Sequence, residues 1–381
     1  MRVIRHPAIL IFLALSFAPV LLLGINGPWY GGGAGPYLRP ALPFPERVTP
    51  EIFRRISVWF NDRLGMRYPL IVLDSHWRLR VWQLRFRGDV LFGHSSWLFF
   101  NDSPPLPAAR LADVRGTLRM DKDAVATLER NLSSAKERFG ICGKVALVAI
   151  APNKQSIYPE ELRNHATYLR SRLDDLLARL TVDARSIIID PRPELRAAKS
   201  RYGVPVYRPT DSHWNDLGAF IAYQKIVAVL AKADVIDRPE LATLDGVEID
   251  AEPVTGGDVA TRLLYLPWNF PDQNIVLRGG ASLPLSVHTE PDHVILTNPQ
   301  GHRKLLILAD SFAPPLASLL ARHFREVEML SRPTWPAAFD GDVIALRNAD
   351  AVLFEIAERS LPDLLQPPMN LERMCNRTSR G

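Results

Sequence analysis

Three side chains carry the types and spacing needed for acyl chemistry. In Tyr207-Arg208-Pro209-Thr210-Asp211-Ser212-His213-Trp214-Asn215-Asp216 an acid and an imidazole stand two residues apart just ahead of an apolar, helix-length run. Residues i and i+2 of an extended segment face the same side, so Asp211 and His213 can point into one pocket while Asn215 or Asp216 caps the helix that follows. Such a pair lacks only a nucleophile, and Ser311 in Leu305-Leu306-Ile307-Leu308-Ala309-Asp310-Ser311-Phe312 is the best candidate. There an apolar run of strand length ends in a polar turn, and a helix begins near Pro314. The chemistry is nucleophilic: His213 takes the Ser311 proton, Asp211 holds the imidazole in the right tautomer, and Ser311 carries the acyl group as an ester. The Ser311 N–H, at a helix N-terminus, and an Asn side chain such as Asn153 are the oxyanion candidates, with Asp310 at the same turn. Taken singly, an Asp-x-His before a helix is also a cap, and an Asp-Ser after a strand is also a turn; their joint presence carries the reading.

These residues need a scaffold that brings strand ends together. Leu118 to Phe139 has helical periodicity and reaches a C-terminal cap at Gly140; Lys144 to Ile150 reads as a buried parallel strand. Leu169 to Leu180 is a helix, Ile187 to Asp190 a strand and Asp216 to Lys232 a helix; His293 to Thr297, Lys304 to Ala309, Phe312 to Phe324 and Ala351 to Ile356 follow. The alternation predicts an α/β domain of three layers, α/β/α, around a largely parallel sheet, whose ligands bind beyond the carboxyl ends of the strands. Asn153-Lys154 and Asp310-Ser311 would both fall at that edge. Residues 234–286 break the rhythm and read as an insertion that shapes a groove or merely covers the fold.

Ahead of this domain, Arg2, Arg5 and His6 precede an apolar run from Pro7 to Gly24, near the lower limit of what spans a bilayer. Bulky Leu21-Leu22-Leu23 offers no small-residue cleavage site, so an uncleaved signal anchor over 1–24 is favoured over a removed signal peptide. The basic flank keeps the N-terminus in the cytoplasm and sends the rest outward, to the periplasm of a bacterium with two membranes. Residues 25–50, rich in Gly and Pro, read as a tether, and 51–106 as a helical, aromatic extension. Phe53, Trp59, Phe60, Trp77, Trp82 and Phe86 are expected to pack on the main domain, which occupies 107–360; residues 361–381 form a polar tail.

With 381 residues, 47% hydrophobic and 23% charged, the chain is globular and not disordered. The formal charge of +5 is scattered, which argues against nucleic acid. Cys142 and Cys375 leave a disulfide and two thiols equally open, and no metal-ligand spacing or phosphate-binding glycine loop is found; no cofactor is called for.

Thr210-Asp211-Ser212-His213-Trp214-Asn215 followed by Ala309-Asp310-Ser311-Phe312 resembles the alginate O-acetyltransferase family of the AlgJ and AlgX type, with its SGNH-hydrolase-like domain. The resemblance extends to Phe60-Asn61-Asp62-Arg63-Leu64-Gly65-Met66-Arg67, Val90-Leu91-Phe92-Gly93-His94-Ser95-Ser96-Trp97-Leu98-Phe99-Phe100, Pro152-Asn153-Lys154 and Ile157-Tyr158-Pro159-Glu160, so it covers roughly residues 50 to 360. Ala309 stands where the family usually has Gly. The resemblance implies acetyl transfer to a secreted polysaccharide, with the acetyl group supplied through a membrane-bound O-acyltransferase partner at the inner membrane. Lys154 would then meet a uronate carboxylate, unless it is an ordinary surface lysine. A serine acetylesterase with the same triad, and a glycan-binding or assembly protein on the same scaffold, are the alternatives.

Overall fold

The computed structural model describes residues 7–21, 51–63, 67–80, 90–101, 119–163, 170–279, 285–331 and 348–365. Eleven strands are found among them: β1 Val90–Phe92, β2 Leu98–Phe100, β3 Val145–Ala151, β4 Ile188–Ile189, β5 Val247–Val254, β6 Asp272–Gly279, β7 Ser286–Glu290, β8 His293–Thr297, β9 Lys304–Ala309, β10 Glu326–Ser331 and β11 Ala351–Ala357. The helices are α1 Pro7–Leu21, α2 Ile52–Arg63, α3 Arg67–Arg80, α4 Lys122–Ile141, α5 Lys154–Ile157, α6 Arg172–Arg179, α7 Val182–Arg185, α8 Arg192–Tyr202, α9 Asp216–Lys232 and α10 Ala313–Leu320.

Seven strands form one sheet in the order β4-β3-β11-β9-β10-β8-β7. The pairings from β4 to β10 are parallel, and β8 and β7 close the far edge as an antiparallel hairpin, so the sheet is mixed and not parallel throughout. Strands β3, β9 and β11 are near-continuous runs of Val, Ile, Leu and Ala because both of their faces are covered. On one face Leu147, Ala149, Leu305, Ile307 and Leu353 pack with residues of α8, α9 and α10. On the other, Val148, Ile150, Leu306, Leu308 and Phe354 pack with α4, α6 and α7. These are the three layers that the alternation predicts.

Local signals shift some boundaries. Asp121 caps α4 through the N–H groups of Asp123 and Ala124, and the helix runs through Gly140 to Ile141; the chain turns at Gly143, whose φ of +65° is left-handed. Strand β10 was not expected, and the stretch read as irregular contains β5 and β6, an antiparallel pair in register from Val247↔Gly279 to Val254↔Asp272. Between them, Val259, Ala260, Leu264, Leu266 and Phe270 form a small third core with Val90 and Leu98, against which Val72 and Leu79 of α3 rest. The α2–α3 extension therefore packs on the domain through α3, while Phe53 and Trp77 stay exposed.

Helix α1 has 15 residues, short of the ~20 that cross a hydrocarbon core. No helix among the described residues is long and apolar enough to cross a membrane. The rest of the expected anchor, the tether at 25–50, Trp82, Phe86 and the end of the tail lie outside the described residues. Cys142 is disulfide-bonded.

Candidate active site

The parallel strands end along one edge, and their following turns carry the site. Asp310 and Ser311 follow β9, Glu358 and Arg359 follow β11, and Asn153 and Lys154 follow β3. Asp211 and His213 come from the loop before α9. That loop is tied at both ends: Tyr207 and Trp214 form an isolated antiparallel bridge, and Asn215 caps α9 through its Oδ1 to the Gly218 N–H at 3.0 Å.

Asp211, His213 and Ser311 come together at hydrogen-bond distance. His213 Nε2 lies 2.9 Å from Ser311 Oγ, and His213 Nδ1 lies 2.8 Å from Asp211 Oδ1. An ionised carboxylate only accepts, so the proton sits on Nδ1 and Nε2 is left to accept from the serine hydroxyl. Burial alone would raise the Asp211 carboxyl; the hydrogen bond and charge of His213, with the N–H groups of His213 and Asp258, outweigh it and hold Asp211 well below the usual carboxylate range. Ser311 is exposed, so its hydroxyl is open to solvent. The Phe312 ring packs at 4.6 Å from the imidazole and fixes its tilt.

The two other residues expected at this edge have different duties. Lys154 neither meets a ligand nor lies on the surface: it is 2% exposed, and its Nζ donates to the carbonyls of Arg208, Pro209 and Asp211 at 3.1, 2.7 and 2.7 Å. It also sits over the rings of Trp97 and Phe99. Burial pulls its pKa down to about 7 against the opposing charges of Asp211, Asp258 and Asp272. Lys154 is thus the peg on which the Asp-x-His segment hangs. Asn153 is buried, its N–H donates to Glu358 Oε2 at 2.9 Å, and no hydrogen bond joins it to Ser311 or His213 among the described residues.

The oxyanion expectation also changes. The Ser311 N–H donates to Asp310 Oδ1 at 2.8 Å, and the Asp310 carboxylate also accepts from Ser360 Oγ at 3.3 Å, so Asp310 shapes the turn from within. In the first turn of α10, Pro314 and Pro315 have no N–H, and the Ala313 N–H is taken by the Asp310 carbonyl. The helix start is poor in free donors. Arg359 brings a cation instead: its guanidinium lies 5.3 Å from the rings of both Phe100 and Phe312, with no hydrogen bond or ion pair among the described residues.

Sequence reasoning missed several residues. Glu355, fully buried inside β11, accepts the Asp310 N–H at 2.9 Å and so holds the turn before the serine. Burial and the charge of Asp310 push its carboxyl well above the ordinary range. Thr210 donates to Asp272 Oδ2 at 2.5 Å and accepts the Gly257 N–H at 2.6 Å, while Arg208 reaches Asp211 at 3.5 Å and Asp272 at 3.1 Å. Asp258, from the segment between β5 and β6, lies 3.5 Å from His213 Nδ1. Gly257 allows this approach, since a Cβ there would fall 2.4 Å from the Asp211 Cβ. A Gly-Gly-Asp turn between two strands, where backbone must come close to something, was the available signal. Ligand atoms of Asp211, His213 and Asp258 lie within 4.8 Å of one another, a spacing a metal ion could bridge, but His213 Nδ1 and the Asp258 N–H already donate to the Asp211 carboxylate.

Known proteins agree with this architecture. Residues 90–265 match the family described as SGNH hydrolase-like domain, acetyltransferase AlgX; the match includes Asp211, His213 and Asp258 and ends before Ser311. The chain is 26% identical over 200 residues to the probable alginate O-acetylase AlgJ of Pseudomonas aeruginosa, a match covering 50% of this chain and 46% of that protein. The solved structure of Bacillus cereus PatB1 with a sulfonyl adduct shares the fold at a TM-score of 0.51 and 14% identity, over 73% of this chain and 99% of PatB1. The O-acetyltransferase domain of Pseudomonas putida AlgJ aligns over 75% of this chain and 98% of its own length, with a TM-score of 0.46 and 18% identity. The chain thus carries an SGNH-like α/β domain and is similar, over about half of its length, to acetyltransferases of the AlgJ and AlgX type.

Proposed function

We propose that the protein is an O-acetyltransferase that moves an acetyl group through a Ser311 ester to hydroxyls of a secreted, alginate-like polysaccharide. The relay from Asp211 through His213 to Ser311, at 2.8 and 2.9 Å, carries this reading. His213 Nε2 takes the hydroxyl proton as Ser311 Oγ attacks the acetyl carbonyl; the resulting imidazolium returns that proton to the departing alcohol of the donor. An acceptor sugar hydroxyl then attacks the ester, with His213 again acting as base. Arg359 stabilises the tetrahedral oxyanion, in place of the Ser311 N–H, which Asp310 already occupies. The acetyl group is supplied through a membrane-bound O-acyltransferase partner, and the domain works in the periplasm behind an N-terminal inner-membrane anchor.

The experiment is acylation with an aryl acetate followed by mass spectrometry of the quenched protein. The acetyl adduct is expected on Ser311, to pass to oligouronate hydroxyls faster than to water, and to be absent from Ser311→Ala and His213→Ala. Arg359→Gln should slow acylation about 100-fold with the adduct still on Ser311. An adduct on another residue refutes the triad, and an ester that goes only to water makes the protein an acetylesterase.

A further inference from the structure

His213 Nδ1 faces two carboxylates. Asp211 Oδ1 is 2.8 Å away and Asp258 Oδ2 is 3.5 Å away. Asp258 is held in place by the residue between the acid and the imidazole: the Ser212 N–H donates to its Oδ1, and the Ser212 hydroxyl to its Oδ2, both at 2.6 Å. Its own N–H donates to Asp211 Oδ2 at 3.0 Å, which ties the two acids edge to edge. Although Asp258 opens the helical turn Val259–Leu263, its side chain makes no cap hydrogen bond there, so its carboxylate is not spent on local structure.

The charges around the imidazole decide what such an arrangement does. Asp211, Asp258 and Asp272 stand on one side of the count, Arg208 and Lys154 on the other. With a neutral histidine and Lys154 protonated the pocket has one more carboxylate than cation; the pocket then balances when His213 becomes imidazolium. Two like charges this close are costly in a resting site and useful only to a cation between them. We propose that Asp258 is a second carboxylate partner of His213, a positioning residue that shares with Asp211 the orientation and stabilisation of the imidazolium. The proton of Ser311 moves to Nε2, the Nδ1 proton stays on the ring, and neither carboxylate is protonated in the step. Burial, followed by the charge of Asp211, raises the Asp258 carboxyl, so Asp258 is the first of the two to be neutralised as pH falls.

The role in turnover rests on the acyl-enzyme reading above, so the test has one arm that needs no turnover. In that arm the His213 ring is titrated by NMR in the resting full-length protein. Its pKa is expected to fall in Asp258→Asn, to fall in Asp211→Asn and to fall furthest in the double variant, as each removed negative charge disfavours imidazolium. In the other arm, aryl acetate acylation should drop about 10-fold in Asp258→Asn with KM unchanged. Asp211→Asn should keep far more activity than the roughly 10⁴-fold loss seen where one carboxylate serves alone. The double variant should lose more than the product of the two single losses, and Asp258→Glu should recover part of the activity. Should Asp258→Asn fail to fold, Ser212→Ala, which unclamps the same carboxylate, is measured in both arms. The inference is overturned if the His213 pKa stays put in Asp258→Asn, or if Asp211→Asn alone loses as much as the double variant. A shifted His213 pKa without any Ser311 adduct would keep Asp258 and discard the acyl-enzyme.

Discussion

Lys154 shows how far a residue's role depends on what covers it. From the sequence it was a cation at a strand end facing either a sugar acid or solvent; under Trp97 and Phe99 it became a buried peg for three carbonyls. Nothing in Pro152-Asn153-Lys154 announces this, because the covering rings come from β2 and its turn, more than fifty residues earlier. Lys154→Met should orphan those carbonyls and destabilise the fold by about 2–3 kcal/mol near neutral pH. The pH dependence follows from the lowered pKa. Between about 7 in the folded protein and the unfolded value of 10.5, the unfolded chain binds more protons, so wild-type stability rises with pH across that window. Methionine cannot titrate, so the gap between wild type and variant should widen from pH 7 to pH 10. Urea midpoints at the two pH values check it; a constant gap would mean that Lys154 titrates normally.

At the scale of elements, β3, β9 and β11 were legible because a strand covered on both faces must be apolar almost throughout. Strand β10, Glu326-Val327-Glu328-Met329-Leu330-Ser331, escaped because its two acids look like a solvated loop until Lys304 and His293 are seen beside them. Asp211, His213 and Ser311 sit in contiguous motifs and could be picked out, whereas Asp258 joins them through a contact across 46 residues, for which sequence has no period. Glu355 lies between these cases: an acid in the run Ala351-Val352-Leu353-Phe354-Glu355-Ile356-Ala357 is an anomaly on sight, but its use is visible only once β11 lies beside β9. With its carboxyl pushed up it should accept Gln with a cost of under about 1 kcal/mol at pH 7, while Ala should cost about 2–4 kcal/mol by emptying a fully buried site and leaving the Asp310 N–H only its longer bond to the Glu355 carbonyl. Its raised pKa makes the folded state hold a proton that the unfolded chain gives up above the ordinary carboxylate range. Wild-type stability relative to Glu355→Gln should therefore fall as pH rises from 5 to 8, read from paired thermal melts; a flat difference would show Glu355 ionised in the fold.

For the whole molecule, the expected periplasmic address rests on the basic-then-apolar N-terminus. Fractionation of cells carrying the full chain should recover it with the inner membrane, accessible to protease only from the periplasmic side; intact protein in the cytoplasmic fraction would overturn the anchor. The body behind it has two layers of helices on one sheet, and the site draws on β9, β11, the loop before α9 and the β5–β6 segment together.

Strand β11 lies between β3 and β9, though it comes last of the three in the chain. A polypeptide made from its N-terminus presents the Asp211–His213 loop first and Ser311 about a hundred residues later. The strand that holds the turn before Ser311 arrives later still. Until Ala351–Ala357 slots into the middle of the sheet, β9 has no partner on the side of β3, and Glu355 is not there to hold the turn before Ser311. Pairings of such long sequence separation form slowly. The order of synthesis thus acts as a timer: the turn that presents Ser311 acquires its Glu355 support only after β11 has been made and has entered the sheet.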